Sequence, residues 1–295
     1  MLFSILVPGK NDNFRKNNSK VLNFSLEQII QNIEDLGIDD VELVLCDWGS
    51  EKKIVDEIVT KKHQNFKCVY VSPQIAEKYN GDWNYSIVHP INTAFRHSTG
   101  KYAMYMDSDC FTSPSDFKKL YEFVQNMDKT NDLKFYWGSR LNVPREYYSD
   151  FNSPNQLVNY FSDNPDLDFF VDNMNNMGEN PNMEIGGFLG GGITMLMNRF
   201  LWESSTGWFE ELPYWGFQDV EFHNRLLQRF QYGGSLRDFG INFYHLLPTP
   251  KHIDHRDLSQ TDKHPNMKRN PHHCPKQFVA NPSNWGLADE LLEVI

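Results

Sequence analysis

Two carboxylates lie two residues apart in Asp107-Ser108-Asp109, directly after the apolar run Tyr102–Met106. At the end of a strand, where the chain turns, such a pair can converge on one hard cation. Magnesium or manganese prefers oxygen ligands of this kind and keeps positions open for substrate phosphates. The same three residues also make an ordinary acidic turn, so their context has to decide. Asp47 supplies part of it, because it too falls just past a strand-like run, Val41–Cys46. Asp219 introduces a second kind of chemistry. The spacing predicts a helix from about Phe217 to Phe230, with Asp219 in its first turn. There the helix dipole favours an ionised carboxylate, which can take the proton of a neighbouring hydroxyl. Taken alone, Asp219 is equally a helix cap with Trp208 and Trp215 as core. His245 follows the last strand-like run, Ile241–Tyr244, and reads either as a satisfied strand-end histidine or as a metal ligand; His252 and His255 are rivals for the second role.

These residues need a scaffold that brings strand ends together. Leu2–Val7, Val41–Cys46, Lys67–Val71 and Tyr102–Met106 are short apolar runs bounded by Gly, Pro or Asp. Helical spacing separates them: Val21–Leu36 stopped by Gly37, Lys52–Lys61, and Pro90–His97. Ser113–Met127 follows, with Ser113 as cap and Pro114 at the first position. Alternation of this kind predicts an α/β fold with a mainly parallel central sheet and helices on both faces. In such a sheet ligands bind at the carboxyl ends of the strands, where Asp47 and Asp107 fall. From Val143 to Glu184 no period is sustained, and the stretch reads as a long loop or insertion. Regularity resumes at Gly186 and continues to His245. Six of the ten histidines lie from His245 onward, together with a cluster of Lys and Arg. That segment reads either as a solvated tail or as one aimed at an anion or a metal.

In order along the chain, the motifs resemble those of GT-A-fold glycosyltransferases of the family 2 type. These transfer a sugar from a nucleotide-sugar to an acceptor hydroxyl. The resemblance begins with a first strand ending at Pro8. It continues through Asp47-Trp48-Gly49-Ser50, then Ile91-Asn92 and Gly100-Lys101-Tyr102, and reaches Asp107-Ser108-Asp109. It resumes at Gly190-Gly191-Gly192, Gly207-Trp208-Phe209-Glu210-Glu211 and Trp215-Gly216-Phe217-Gln218-Asp219-Val220-Glu221. This second half is similar to chondroitin-polymerase-like and β-1,4-galactosyltransferase-like domains, as is a histidine 26 residues after Asp219. The resemblance implies that Pro8, Asp47, Asn92 and Asp107 bind the nucleotide, with Asp47 at the base and Asp107 at the ribose; nearby Arg96 is the candidate to substitute there for the cation that Ile91 lacks. It further implies that Asp107, Asp109 and His245 hold manganese or magnesium, that Asp219 is the base, and that Trp208, Trp215 and Gln218 bind the acceptor. Three positions depart from the family pattern. Trp48 stands where a second Asp is common, Ile91 where Arg is usual, and Gln218 where Glu is usual.

The implied layout is a GT-A domain over 1–245, with a nucleotide-binding half at 1–140, a loop or insertion at 141–185 and an acceptor half at 186–245. A His/Lys-rich C-terminal tail at 246–295 would fold over the diphosphate or pack against the domain. The expected partners are a nucleotide-sugar, with UDP-hexose or UDP-N-acetylhexosamine foremost, and a glycan or glycolipid acceptor. Composition bounds the rest. With 28 Lys and Arg against 39 Asp and Glu, the 295-residue chain has a net charge of −11, which argues against a nucleic-acid binder. No apolar run has the length of a membrane span, so a cytoplasmic protein is expected, with peripheral membrane association left open. Four scattered cysteines make neither a disulfide framework nor a zinc site. A nucleotidyltransferase is disfavoured by Gly9-Lys10-Asn11-Asp12, a poor phosphate loop. A P-loop enzyme is disfavoured by Phe95 where the motif needs glycine. An inactive nucleotide-sugar- or glycan-binding relative stays open because of Gln218.

Overall fold

The structure is a computed structural model that describes residues 1–11, 18–57, 63–81, 85–138, 140–143, 156, 194–212, 218–246 and 280–295. Its centre is formed by β1 (Phe3–Gly9) and β2 (Val41–Trp48), buried at every position. A strand covered on both faces can be apolar along its whole length, so both read as continuous runs. Alternate residues feed two separate cores. Ile5, Val7, Leu43 and Leu45 pack on one face against Leu22, Leu26, Ile29, Ile30 and Ile33 of α1 (Asn18–Asp35). Leu6, Val44, Cys46 and Trp48 pack on the other face against Val88, Ile91, Ala94 and Phe95 of α4 (Val88–His97). Between these come α2 (Ile54–Glu57), β3 (Phe66–Val71) and α3 (Pro73–Tyr79).

After α4 the chain forms β4 (Tyr102–Tyr105), the two-residue β5 (Cys110–Phe111) and α5 (Pro114–Thr130). The N-cap of α5 is Ser113, whose hydroxyl accepts from Asp116 N at 3.0 Å. Then follow β6 (Phe135–Gly138), β7 (Arg140–Val143), β8 (Thr194–Asn198), α6 (Arg199–Ser204) and α7 (Gln218–Leu227). Last come β9 (Tyr232–Ser235), β10 (Phe243–Leu246) and β11 (Glu293–Val294). The eight-stranded sheet has the order β11-β3-β2-β1-β4-β8-β6-β9, and a second sheet has the order β5-β10-β7. The run β3-β2-β1-β4 is parallel throughout. Beyond it β8 lies antiparallel to both β4 and β6, and β11 antiparallel to β3.

Three expectations need adjustment. Asp47 lies inside β2, because the ladder continues to Trp48 opposite Val71. His245 lies within β10, where its partner is Cys110. The run at Lys52–Lys61 is helical over Ile54–Glu57, and residues 58–62 lie outside the described residues. The expected long loop at Val143–Glu184 and the glycines Gly190–Gly192 fall almost wholly outside them too.

Residues 280–295 pack against the sheet and α4. Trp285 and Leu287 join the same core as α4, and the Trp285 ring stacks on Phe95 with centroids 5.8 Å apart. Glu290 meets Lys78 and Tyr79, and Glu293 pairs with Lys53 at 2.6 Å where β11 closes the sheet edge. Among the described residues no helix is long and apolar enough to cross a membrane.

Candidate active site

The carboxyl ends of β1, β2 and β4 share one rim of the sheet. Gly9 pairs with Asp47, and Met106 N donates to Leu6 O at 3.0 Å, so the chain leaves β4 beside the end of β1. It then turns through Asp107-Ser108-Asp109, with Cys110 N donating to Asp107 O at 3.0 Å, and enters β5. Because β5 runs antiparallel to β10, His245 is set against Cys110. Leu246 N donates to Asp109 O at 2.9 Å, and His245 Nε2 lies 3.3 Å from Asp109 Oδ2. The structure thus brings Asp109 and His245 together although they belong to opposite halves of the sequence. Tyr105 donates its hydroxyl to Asp107 Oδ1.

This donor set fits a divalent ion. Asp107, Asp109 and Cys110 each offer a ligand atom within 4.8 Å of the others, and His245 is against Asp109. Two carboxylates with an imidazole suit manganese or magnesium; the Cys110 thiol is a softer donor that these ions use poorly.

At the end of β2, Asp47 is fully buried. Its Oδ1 accepts from the Ser50 hydroxyl and its Oδ2 from Ile54 N at 2.8 Å, while Ser50 Oγ accepts from Asn11 N at 2.7 Å. Asp47 therefore shapes the turn that joins the β1 and β2 loops. Gly49, with φ +73, lets that turn reverse against Ala76 of α3. Trp48, standing where a second Asp was expected, is core: its ring stacks on His89 and its Nε1 donates to Asn80 Oδ1 at 2.7 Å. Burial pushes the Asp47 carboxyl up to about 6, with the Ser50 and Ile54 hydrogen bonds opposing it. An acid whose pKa is higher in the folded state keeps its proton there over a window in which the unfolded chain, at 3.8, has lost it. Stability therefore falls as pH rises from about 4 to about 6. We expect Asp47→Asn to match wild type in urea denaturation at pH 4 and to exceed it by about 2 kcal/mol at pH 7. Equal stability at both pH values would contradict this.

Helix α7 begins with Gln218, buried, and Asp219, half-buried in its first turn. The helix packs through Phe222 against Trp202 and Trp208, with centroids 5.6 and 5.5 Å apart. Trp208 in turn meets the Tyr105 ring edge-on at 5.2 Å. Contacts thus run from α7 through Trp208 and Tyr105 to Asp107. Trp208, expected at the acceptor, is only 2% exposed and acts as a wall between these elements. Trp215, His252 and His255 lie outside the described residues.

Asn92 and Arg96, expected at the nucleotide, are engaged elsewhere. Asn92 is buried on α4; its Oδ1 accepts from Trp208 N at 2.8 Å and its Nδ2 donates to Trp208 O at 2.7 Å and Glu210 Oε1 at 3.0 Å. Arg96 donates to Trp285 O and to Ser283 O and lies over the Trp285 ring. The guanidinium is thus held by the carbonyls of residues 283 and 285. Burial raises the pKa of Glu210, against hydrogen bonds from Asn92 and Gly286 N and the charge of Arg96. The sequence reading passed over Tyr105, Glu210, Arg225 and Asn281. For Arg225 a signal existed: Glu221 and Arg225 stand four apart on a helix, the spacing of an ion pair.

The sequence matches the model of glycosyl transferase family 2 over residues 4–185, more than half of the chain. The chain belongs to glycosyl transferase family 2. No curated protein matches it. Among solved structures, this family 2 member is similar to S. aureus TarS 1–349 in complex with UDP-GlcNAc. That likeness has 15% identity and a TM-score of 0.50, covering 86% of this chain and 61% of that one. It is also similar to the mannosyltransferase PcManGT from Pyrobaculum calidifontis in complex with GDP-Man and Mn2+, at 14% identity, a TM-score of 0.48 and coverage of 87% and 59%. The chain spans about three-fifths of the length of these structures. The family match and the likeness to TarS identify the mixed sheet with its flanking helices as the GT-A fold.

Proposed function

We propose that this glycosyltransferase moves a hexose or N-acetylhexosamine from a UDP-sugar to a hydroxyl of a glycan or glycolipid, by a single inverting displacement. The observation that carries the reading is the meeting of Asp109 with His245 on the rim where the parallel strands end. Asp107, Asp109 and His245 would hold manganese or magnesium; when bound, the ion neutralises charge on the diphosphate leaving group. Tyr105 holds Asp107, and the β10 ladder holds His245. Asp219 takes the acceptor proton as that oxygen attacks the anomeric carbon and the bond from sugar to diphosphate breaks. It stands in the first turn of α7, where the helix dipole favours negative charge. Asp47 serves the nucleotide by fixing the Trp48–Ser50 turn beside the loop after β1. TarS, which shares the fold, is bound to UDP-GlcNAc in its complex, which supports a UDP-sugar as donor.

The test is UDP release from UDP-glucose, UDP-galactose, UDP-GlcNAc and UDP-GalNAc, with manganese and with a chelator, against a panel of glycan acceptors. Manganese-dependent release from at least one donor is expected. Tight donor binding without turnover on any acceptor would favour a binding protein, the reading to which the buried Gln218 at the usual Glu position lends itself.

A further inference from the structure

Residues 205–208, between α6 and α7, make an unusual turn. Thr206 and Gly207 are successive left-handed residues, with φ +57 and +69, and a Cβ on Gly207 would strike Asn92 Oδ1 and the Trp285 ring. Four consecutive carbonyls of this turn receive side-chain N–H groups from three separate elements. Arg225 of α7 donates to Ser205 O and, at 2.7 Å, to Gly207 O. Asn281 donates to Thr206 O at 2.7 Å and to Trp208 O at 2.6 Å, and Asn92 of α4 also donates to Trp208 O. Buried carbonyls need such partners, so the turn exists only while all three elements are in place.

Arg225 makes two of these bonds, to Ser205 O and Gly207 O, from a fully buried position. Its side chain and that of Glu221 are both 0% exposed, whereas helical Glu–Arg pairs four apart normally lie in solvent and contribute little. Its Nε and one terminal nitrogen reach the two Glu221 oxygens at 2.7 and 3.1 Å, leaving the rest of the fork for the turn. A planar fork held at four acceptors fixes direction as well as distance.

We infer that Arg225 is a positioning residue for Asp219, setting the rotation of α7 and its distance from Asp107; the inference rests on the reading of Asp219 as the base. Asp219 and Arg225 are six residues apart, about 240° around the helix, so pinning the inward Arg225 settles where the half-buried Asp219 points. The pinned turn leads directly into Trp208, which packs on Tyr105, and Tyr105 holds Asp107. One anchor therefore serves the base and the metal end of the site together. Asn281 braces the same turn from the C-terminal segment.

The experiment uses the 295-residue chain carrying Arg225→Lys, which keeps the charge beside Glu221 and loses the fork. UDP release is measured from whichever of the four UDP-sugars wild type turns over, with manganese-dependent UDP affinity measured in parallel. A folded Arg225→Lys is expected to lose 10- to 100-fold in kcat, with donor KM and UDP affinity within twofold of wild type. Asn281→Ser is expected to show the same split with a three- to tenfold loss in kcat, and it carries the test if Arg225→Lys does not fold. Unchanged kcat in the folded variant, or a loss matched by weaker UDP binding, overturns the inference while the proposed function stands. Wild type that binds UDP but turns over none of the donors removes the role of Asp219, and this inference with it.

Discussion

Asp219→Asn is expected to lower kcat about 10³-fold or more while leaving manganese-dependent UDP affinity within twofold of wild type. General-base catalysis contributes 10²–10⁴-fold, and a 10³-fold loss corresponds to about 4 kcal/mol of transition-state stabilisation. Asparagine has the shape of aspartate and still accepts a hydrogen bond in the first turn of α7, but it does not take a proton at neutral pH. The structural cost is small by comparison. Removing one charge from a helix N-terminus costs about 0.3–1 kcal/mol, too little to unfold a domain whose α7 is held by Phe222 and Arg225. Steady-state kinetics with calorimetry checks this. A variant with more than a tenth of wild-type kcat would rule Asp219 out as the base.

The second large effect is at Asp109. Its carboxylate faces His245 Nε2, and its backbone carbonyl accepts from Leu246 N, so the side chain can be removed while the β5–β10 pairing stays. Even residues that only orient a metal ligand cost 10- to 100-fold in affinity when changed, so loss of a ligand itself should cost at least about 100-fold. We expect Asp109→Ala to weaken manganese binding by that much, read from the free-ion signal in electron paramagnetic resonance. His245→Ala is expected to show a smaller loss, because an imidazole contributes less to a manganese site than a carboxylate does. Wild-type manganese affinity in Asp109→Ala would remove the DxD pair from the site.

The half of the fold built from β1 to β4 was readable because β1, β2 and β4 are buried at every position and so appear as apolar runs, with helices between that carry a clear period. The strand ends then marked the rim, and Asp107 and Asp109 lie on it. What brings His245 to Asp109 was not readable from pattern. The link is β5, a two-residue strand with no period, paired to a β10 that lies far along the chain; only the resemblance to a family suggested it. Arg96 was expected at the nucleotide as a substitute for the cation that Ile91 lacks, whereas Asn281-Pro282-Ser283-Asn284-Trp285-Gly286, a stretch with no periodicity, returns to α4 and takes its guanidinium. The C-terminal segment was expected to fold over the diphosphate or to pack against the domain; what packs residues 280–295 is the burial of Asn281, Trp285 and Leu287 and hydrogen bonds that no periodicity records. Glu221 and Arg225 had the right spacing for an ion pair, but spacing alone could not tell a buried pair from a solvated one.

The most direct test of the account is calorimetric titration of the wild-type protein with UDP, with and without manganese. The account predicts saturable binding in manganese that is lost or severely weakened when a chelator is added. A folded sample that binds none of UDP, GDP, dTDP and CMP under either condition would contradict it, and Asp107-Ser108-Asp109 would then be no more than an acidic turn at the end of a strand.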